Sequence, residues 1–192
     1  MNKNESQHGP KNDPNNGLKS KPKTLGIIGM GYVGLPLGVV AAEAGHTVIG
    51  FDVNPDVVNS INQGASHIQD VPSQSLSPLV NNGQLRATTD FSELKHCDVI
   101  SICVPTPLNK IKDPDLSYVV NASEDIAEHL QQGQTVILES TTYPGTSREV
   151  VLPILEESGL TVGVDFYLCY SPERVDPGNQ TWTTKNTPKV LG

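Results

Sequence analysis

The sequence contains few cysteines, no long apolar run and no excess of positive charge. Its three cysteines, Cys97, Cys103 and Cys169, form no C-x-x-C pair, so their spacing indicates neither a zinc site nor a disulfide framework and favours a reducing, cytoplasmic setting. No apolar run approaches the roughly 18–20 residues that span a bilayer, and the N-terminus lacks the charged-then-apolar layout of a signal peptide. We therefore expect no membrane partner.

The net charge excludes a second class of partner. A charge of −8 argues against a protein that tracks nucleic-acid phosphates, because such proteins need a cationic surface. A small anionic ligand stays compatible with this charge, since backbone N–H groups at a helix N-terminus can hold one. We expect no nucleic-acid partner.

The chain divides into a tail and one domain. Residues 1–22 are mostly Asn, Lys, Gly, Pro, Ser and Gln. Because such a segment cannot offset its ordering entropy by burying apolar groups, it is predicted to be a flexible tail, with a functional arm as the alternative. Residues 23–192 have the length of a single domain.

Apolar strands and amphipathic helices alternate along this domain. Residues 63–98, rich in Ser, Pro and Gln, are interpreted as a looser segment. The alternation implies right-handed crossovers and a parallel sheet covered on both faces, so the predicted fold is α/β, a Rossmann-type doubly wound sheet. Residues 188–192 resemble the opening of another strand, which predicts that the chain is a fragment. Strands are predicted at 25–28, 46–52, 99–104, 135–139 and 166–170, and helices at 35–44, 56–62, 117–130 and 147–158.

A glycine-rich turn follows the first predicted strand and opens the first predicted helix. Gly29 allows a tight turn, Gly31 lets the backbone approach the pyrophosphate of a dinucleotide, and Gly34 lets the helix pack against the sheet. The pyrophosphate would then face the helix N-terminus. Asp52 ends the next strand about twenty residues on, as the dinucleotide fingerprint requires.

Asp52 also selects between the two nicotinamide dinucleotides. Its carboxylate is placed to accept hydrogen bonds from the adenosine ribose and would repel a 2′-phosphate, and residues 53–55 carry no cation to receive one. NAD is therefore the predicted cofactor. The alternative is that the glycines only form a turn and that Asp52 only caps the following segment.

Polar, proline-containing segments follow three later strands. Residues 103–107, 139–146 and 171–179 would all lie at the carboxyl edge of the sheet, where ligands of open α/β sheets bind. Together with the glycine turn, these segments resemble the UDP-glucose/GDP-mannose dehydrogenase family. Residues 171–179 look more like the members that act on UDP-N-acetylmannosamine or UDP-N-acetylglucosamine.

The resemblance implies a two-step oxidation of a nucleotide sugar from the C6 alcohol to the carboxylate, with two NAD. In the family a cysteine thiol captures the intermediate aldehyde, and the resulting thioester is hydrolysed. By motif match, Glu173 would be a general base or water-orienting group, and Thr141 would help to hold that water. NAD would contact Gly29, Met30, Gly31, Tyr32, Val33, Gly34, Asp52, Val104, Thr106 and Thr141.

Two departures limit the resemblance. Pro177 stands where the UDP-glucose enzymes have a second glutamate, four positions after the one that matches Glu173. In addition, the family's nucleophilic cysteine, its lysine partner, most sugar contacts and the central helix through which members form dimers or larger assemblies belong to the half that follows. We therefore expect this chain to be catalytically incomplete and able to exist as a monomer.

Several of these residues also have structural explanations. Cys103 lies in an apolar strand with no histidine nearby in sequence, so it is predicted, like Cys97 and Cys169, to be a small buried hydrophobic residue. Thr146 and Glu149 have the T-x-x-E spacing of a capping box.

Charged groups near the third strand exit have alternatives too. Glu173 could pair with Arg174 or Arg148 instead of acting in catalysis, and Asp176 is interpreted as a turn residue. No metal site is predicted, because four histidines lack metal-ligand spacing and are interpreted as surface or boundary residues: His46, His67, His96 and His129.

Two other functions are open from the sequence. A β-hydroxyacid dehydrogenase has a similar glycine turn but a glycine- and serine-rich loop where this chain has residues 140–145. The other is a non-catalytic NAD-binding module. A reading frame that continues beyond Gly192 with a cysteine motif would favour the enzyme, and a stop codon there would favour the module.

Overall fold

A computed structural model of the chain describes residues 21–108, 114–174 and 184–192. Residues 1–20 of the predicted tail, and Asp176 and Pro177, lie outside these ranges. The strands are β1 Thr24–Ile28, β2 Thr47–Phe51, β3 Leu85–Thr88, β4 Val99–Ile102, β5 Thr135–Leu138 and β6 Tyr167–Tyr170. The helices are α1 Gly34–Glu43, α2 Pro55–Asn62, α3 Ser73–Asn81, a 3-10 helix Phe91–His96, α4 Ser117–His129, a π-helical turn Ser147–Val151 and α5 Leu152–Glu156.

The six described strands form one parallel sheet in the order β3-β2-β1-β4-β5-β6. Leu25 of β1 pairs with Val48 on one side and with Val99 on the other. The chain winds outward in one direction from β1 to β3 and in the other direction from β4 to β6. The carboxyl ends of β1 and β4 therefore border the crevice in which open α/β sheets bind ligands. The predicted doubly wound, Rossmann-type fold is confirmed.

Helices cover both faces of the sheet. Successive side chains of a strand point to opposite faces, so Ile27 and Ile28 belong to two different core clusters. The first cluster includes Leu35 of α1 and Ile61 of α2, and the second includes Ile126 of α4. Full burial of one such side chain contributes about 1.5–3 kcal/mol to folding. Apolar packing on both faces therefore stabilises the sheet.

Residues 63–98 are more ordered than the sequence predicted, because they contain α3, β3 and the 3-10 helix. The looser segment was a wrong prediction with two physical causes. α3 carries Pro78 in its interior and buries only Leu76 and Leu79, so its apolar pattern is weak; packing rather than propensity stabilises such a helix. β3 is an edge strand of four residues, too short for a clear alternation.

The capping box predicted for Thr146 and Glu149 is also wrong. The Thr146 hydroxyl donates backward to the Tyr143 carbonyl oxygen at 2.8 Å, and Thr146 itself has right-handed helical dihedral angles. Gly145, with φ of +97°, makes the turn into this helix instead. The side chain of Thr146 is therefore buried in the turn and does not cap the helix.

Residues 188–192 do not form the predicted strand. Gly192 nevertheless exchanges two backbone hydrogen bonds with Tyr170, at 2.7 and 3.0 Å, which is the pattern of an antiparallel hydrogen-bonded pair. Among the described helices, none combines the length and apolar character needed to cross a membrane.

Candidate cofactor site

The glycine turn lies at the carboxyl end of β1, beside β4. Gly29 has φ of +90°, a conformation that favours glycine, and its N–H donates to the Phe51 carbonyl oxygen at 2.8 Å. A Cβ at Gly29 would lie 2.9 Å from the carbonyl oxygen of Cys103. The tight turn thus requires glycine both for its dihedral angle and for the approach of β4.

The other two glycines differ in what surrounds them. A Cβ at Gly34 would lie 2.0 Å from the Gly29 carbonyl oxygen, so α1 could not pack where it does with any other residue there. A Cβ at Gly31 would meet nothing within 4 Å. Gly34 therefore serves close packing, and Gly31 borders open space.

Backbone donors face this open space at the start of α1. In the described ranges, the amides of residues 31–34 form no hydrogen bond within the chain, and no side chain caps the helix. Uncapped N–H groups and the positive end of the helix dipole together favour an anion such as a phosphate. Tyr32 is 58% exposed at the rim of the turn.

Asp52 follows β2 and reaches the turn. Its Oδ2 accepts the Met30 N–H at 3.0 Å, and its Oδ1 accepts the Asn54 N–H at 2.9 Å. An ionised carboxylate has about four acceptor positions, so roughly two are left for ligand hydroxyl groups. Asp52 is half-buried, which leaves it open to a ligand.

His67 also contacts the turn, although no sequence motif predicted this contact. His67 Nε2 lies 2.9 Å from the Met30 carbonyl oxygen. His67 is exposed, as predicted, but it is not an isolated surface residue. Its 37-residue separation from Met30 explains why no local motif predicted the contact.

Side-chain hydroxyl groups join the exits of β4 and β5, in addition to the backbone hydrogen bonds between them. Thr106 Oγ1 donates to the Thr141 carbonyl oxygen at 2.7 Å. Ser140 Oγ donates in the other direction, to the Val104 carbonyl oxygen at 2.7 Å. Val104, Thr106 and Thr141 thus lie together at the sheet edge that also carries the glycine turn.

Glu173 follows β6 at the same edge and is half-buried. Its Oε1 accepts the backbone N–H of Arg174 at 2.6 Å. Glu173 also lies close enough to Glu139 to raise the pKa of that carboxyl group.

A buried ion pair at this edge was not predicted. Glu139, only 5% exposed at the end of β5, accepts a hydrogen bond from Lys189 Nζ at 2.6 Å. Burial raises the pKa of Glu139, and the neighbouring Lys189 ammonium opposes this rise. The two residues are 50 positions apart, so only the folded chain reveals the pair.

The three cysteines do not share one environment. Cys97 and Cys103 are buried, as predicted, and burial raises the pKa of each thiol to about 12. Such thiols are poor nucleophiles at neutral pH because almost none is ionised. Cys169 is half-buried, so its predicted burial is only partial.

A cavity of about 750 Å³ lies next to these strand exits, lined by residues 142–148, by the end of β6 and by Leu152, Val162 and Gly192. It begins one residue after Thr141 and does not include the glycine turn. The open space at Gly31 is thus not part of this cavity. Within the described ranges, no group of His, Cys, Asp or Glu side chains could hold a metal ion.

Comparisons with known proteins agree with this geometry. The model of the NAD binding domain of the UDP-glucose/GDP-mannose dehydrogenase family matches residues 23–192. A UDP-N-acetyl-D-glucosamine 6-dehydrogenase from Pseudomonas aeruginosa is 39% identical over 171 residues, which cover 88% of this chain and 40% of that protein.

Solved structures give the same picture. The UDP-N-acetyl-D-mannosamine dehydrogenase of Pyrococcus horikoshii matches with a TM-score of 0.76 and 39% identity, over 81% of this chain and 37% of that one. The NDP-N-acetyl-D-galactosaminuronic acid dehydrogenase of Methanosarcina mazei matches with a TM-score of 0.82 and 32% identity, over 89% and 38%. The chain thus spans about two fifths of the length of these relatives.

The β-hydroxyacid alternative receives no support beyond the fold. A 3-hydroxyisobutyrate dehydrogenase from Mycobacterium tuberculosis matches with a TM-score of 0.53 and only 19% identity.

Proposed function

Because the chain belongs to the UDP-glucose/GDP-mannose dehydrogenase family, as its NAD-binding domain, we propose that the turn at residues 29–34 binds the pyrophosphate of NAD and that Asp52 binds the adenosine ribose. The family and NAD as cofactor, both predicted from the motifs, are confirmed by the match. The observation that carries the proposal is the open space at Gly31, bordered by amides that form no bond within the described chain.

The residues present fit a dinucleotide. A diphosphate suits unpaired N–H groups at a helix N-terminus, and a ribose diol suits a carboxylate with acceptor positions to spare. Tyr32 and Val33 would contribute backbone N–H groups between Gly29 and Gly34. Met30, whose N–H donates to Asp52, would contribute only van der Waals contact from its backbone. Discrimination against NADP would come from the charge of Asp52, since residues 53–55 supply no cation.

The exits of β4 and β5 would border the nicotinamide end. NAD, when bound, supplies a hydride acceptor. Val104, Thr106 and Thr141 would line this end, and the Thr106–Thr141 hydrogen bond supports the proposal because it holds two of these residues together.

Glu173 and Thr141 are the proposed catalytic residues of the chain. The strands that precede them, β5 and β6, are parallel neighbours, so both residues lie at the same sheet edge. Glu173 would accept a proton at its carboxylate or orient a water, and the Thr141 hydroxyl would help to hold that water. Glu173 is half-buried, which supports this role because a substrate or a water can reach its carboxylate while bulk solvent is partly excluded.

For the whole protein we propose oxidation of the C6 alcohol of a UDP-N-acetylhexosamine-type sugar to the carboxylate, with two NAD. The relatives named above support this substrate class. The thiol that captures the aldehyde would come from outside these 192 residues, as the family resemblance implies. Cys97 and Cys103 are unsuited to the role, because they are buried with pKa values of about 12.

Two further properties belong to the same proposal. The whole protein would form a homodimer or larger assembly and would take most sugar contacts from its other half. The absence of disulfides among Cys97, Cys103 and Cys169 supports a reducing compartment, the cytoplasm.

Titration calorimetry of NAD into the chain tests the cofactor site. We expect wild type to bind NAD and Gly31→Val to lose binding, because the new side chain fills the open space. Gly192→Val is the matched control, since an added Cβ there also meets nothing within 4 Å. Equal affinity in all three proteins would refute the site.

A screen of nucleotide sugars for NADH production by the whole protein tests the reaction. We expect activity with UDP-N-acetylhexosamines and its loss in Glu173→Gln, with NAD affinity unchanged. Full activity of Glu173→Gln would remove Glu173 from the mechanism.

A further inference from the structure

Met30 is held through both of its backbone polar groups. Asp52 Oδ2 accepts its N–H at 3.0 Å, and His67 Nε2 lies 2.9 Å from its carbonyl oxygen. Because a carbonyl oxygen only accepts hydrogen bonds, His67 Nε2 carries the proton and donates. The Met30 side chain is fully buried and fills the space left by Gly50, where a Cβ would lie 2.6 Å from it.

The His67 contact acts on the peptide unit that joins Met30 to Gly31. In a planar trans peptide the C=O and N–H groups point in opposite directions. A Met30 carbonyl held toward His67 therefore directs the Gly31 N–H away from His67. Without this contact, the conformational freedom of glycine would let the peptide rotate, since the Gly31 amide has no acceptor within the described chain.

The backbone around His67 is anchored, which fixes the position from which its ring reaches the turn. Ile68 is buried in the core. The Ser66 N–H donates to Ser73 Oγ at 2.9 Å, at the start of α3, and Ser66 Oγ donates to the Ile68 carbonyl oxygen at 3.0 Å. His67 itself is exposed, so core packing does not explain its position over the turn.

We infer that His67 is a positioning residue for the cofactor turn: its Nε2–H holds the Met30 carbonyl and thereby orients the Gly31 amide toward the pyrophosphate. This inference rests on the proposed function of the turn. Asp52 and His67 fix two successive peptides, 29–30 and 30–31, so the turn is organised before the ligand arrives. Pre-organisation lowers the ordering cost that binding must meet.

Three substitutions separate the donor from the rest of the ring. Glutamine can place its amide nitrogen near the position of His67 Nε2, whereas asparagine is one methylene shorter and alanine has no donor. We expect NAD Kd to rise about two- to tenfold in His67→Asn and His67→Ala, the range for one hydrogen bond, and to return to within about twofold of wild type in His67→Gln. The control is His96→Ala. His96 is exposed and precedes β4, so it lies at the amino end of the strands, whereas the glycine turn lies at their carboxyl end.

An NMR measurement on the ligand-free protein reports the orientation of the peptide between Met30 and Gly31, and a general loss of stability would not change it in the same way. The Gly31 amide nitrogen shift should change in His67→Asn and return in His67→Gln. Wild-type affinity in His67→Asn, or an affinity in His67→Gln as weak as in His67→Ala, would overturn the positioning role. Gly31→Val distinguishes the two proposals: if it binds NAD normally, both fail, and if it alone weakens binding, only the role of His67 fails.

Discussion

Thr106 Oγ1 donates to the carbonyl oxygen of Thr141 at 2.7 Å, so a side chain from the exit of β4 holds the backbone at the exit of β5. Ser140 returns the contact by donating to the Val104 carbonyl oxygen. Because hydroxyl groups supply both bonds, the proposed nicotinamide end of the site depends on these side chains in addition to the backbone bonds that Glu139 and Ser140 donate to the Ile102 carbonyl oxygen.

Removal of the Thr106 hydroxyl should therefore affect binding more than folding. We expect Thr106→Val to raise NAD Kd about two- to tenfold, and to lower the free energy of unfolding by less than about 1 kcal/mol because Thr141 is exposed. Titration calorimetry and urea denaturation give the two values, with Thr106→Ser as the control that keeps the hydroxyl. Wild-type affinity in Thr106→Val would separate this contact from the cofactor site.

The charge of Asp52 should set the preference for NAD. Asp52→Asn keeps one carbonyl oxygen but removes the negative charge, so NAD binding should weaken about tenfold while NADP binding improves or stays constant. Titrations of both cofactors measure the ratio of their affinities. Asp56→Asn, an exposed change in the first turn of α2, should leave that ratio unchanged. An unaltered ratio in Asp52→Asn would place the selection elsewhere.

Two glycines of α1 should respond to alanine by different amounts. In Gly34→Ala the new Cβ would meet the Gly29 carbonyl oxygen at 2.0 Å, and we expect the free energy of unfolding to fall by about 2–4 kcal/mol. In Gly38→Ala the nearest atom is a side-chain methyl group at 3.3 Å. This contact can relax, and the gain in helix propensity offsets it. Similar stabilities of the two variants in urea denaturation would contradict the packing argument.

The Glu139–Lys189 ion pair should give a pH-dependent stability. The pKa of Glu139 is raised by burial. The stability that the Glu139 carboxyl group contributes is therefore fully present below its pKa in the unfolded chain, and it is lost as the pH rises through its pKa in the folded chain. Lys189→Met removes the cation that opposes this rise, and its cost should grow from near zero at about pH 4 to about 2 kcal/mol at neutral pH. This is less than the loss for a fully buried pair, because Lys189 is 24% exposed.

Urea denaturation across this pH range measures the effect, with Glu139→Gln as the matched partner. That variant removes the buried charge, so its stability relative to wild type should be higher than that of Lys189→Met at neutral pH. A cost of Lys189→Met that does not change with pH would mean that Glu139 is not the group left uncompensated.

Local patterns predicted the part of the fold that surrounds the glycine turn. The spacing of Gly29, Gly31 and Gly34, with Asp52 at the end of the next strand, requires a strand-turn-helix-strand unit in that order, and the structure contains it. α3 was missed because Pro78 interrupts a helix that buries only two side chains, a case in which tertiary packing overrides the local signal.

The contacts that complete the site were beyond sequence reasoning for another reason. His67 reaches Met30 across 37 positions and Lys189 reaches Glu139 across 50, and neither pair has a spacing that any periodicity reports. The prediction from the T-x-x-E pattern at Thr146 was wrong for the opposite reason, because a local motif is present but the capping contact is not formed. Gly145 turns the chain so that the Thr146 hydroxyl donates backward to the Tyr143 carbonyl oxygen.

We propose above that NAD binds against the backbone of residues 29–34 beside Asp52. Amide chemical-shift mapping of the 15N-labelled chain during titration with NAD tests it most directly. We expect the largest saturable shifts on the amides of residues 30–34 and on Asp52, and we expect them to vanish in Gly31→Val. Shifts confined to the cavity at residues 142–148, or unchanged in Gly31→Val, would contradict it.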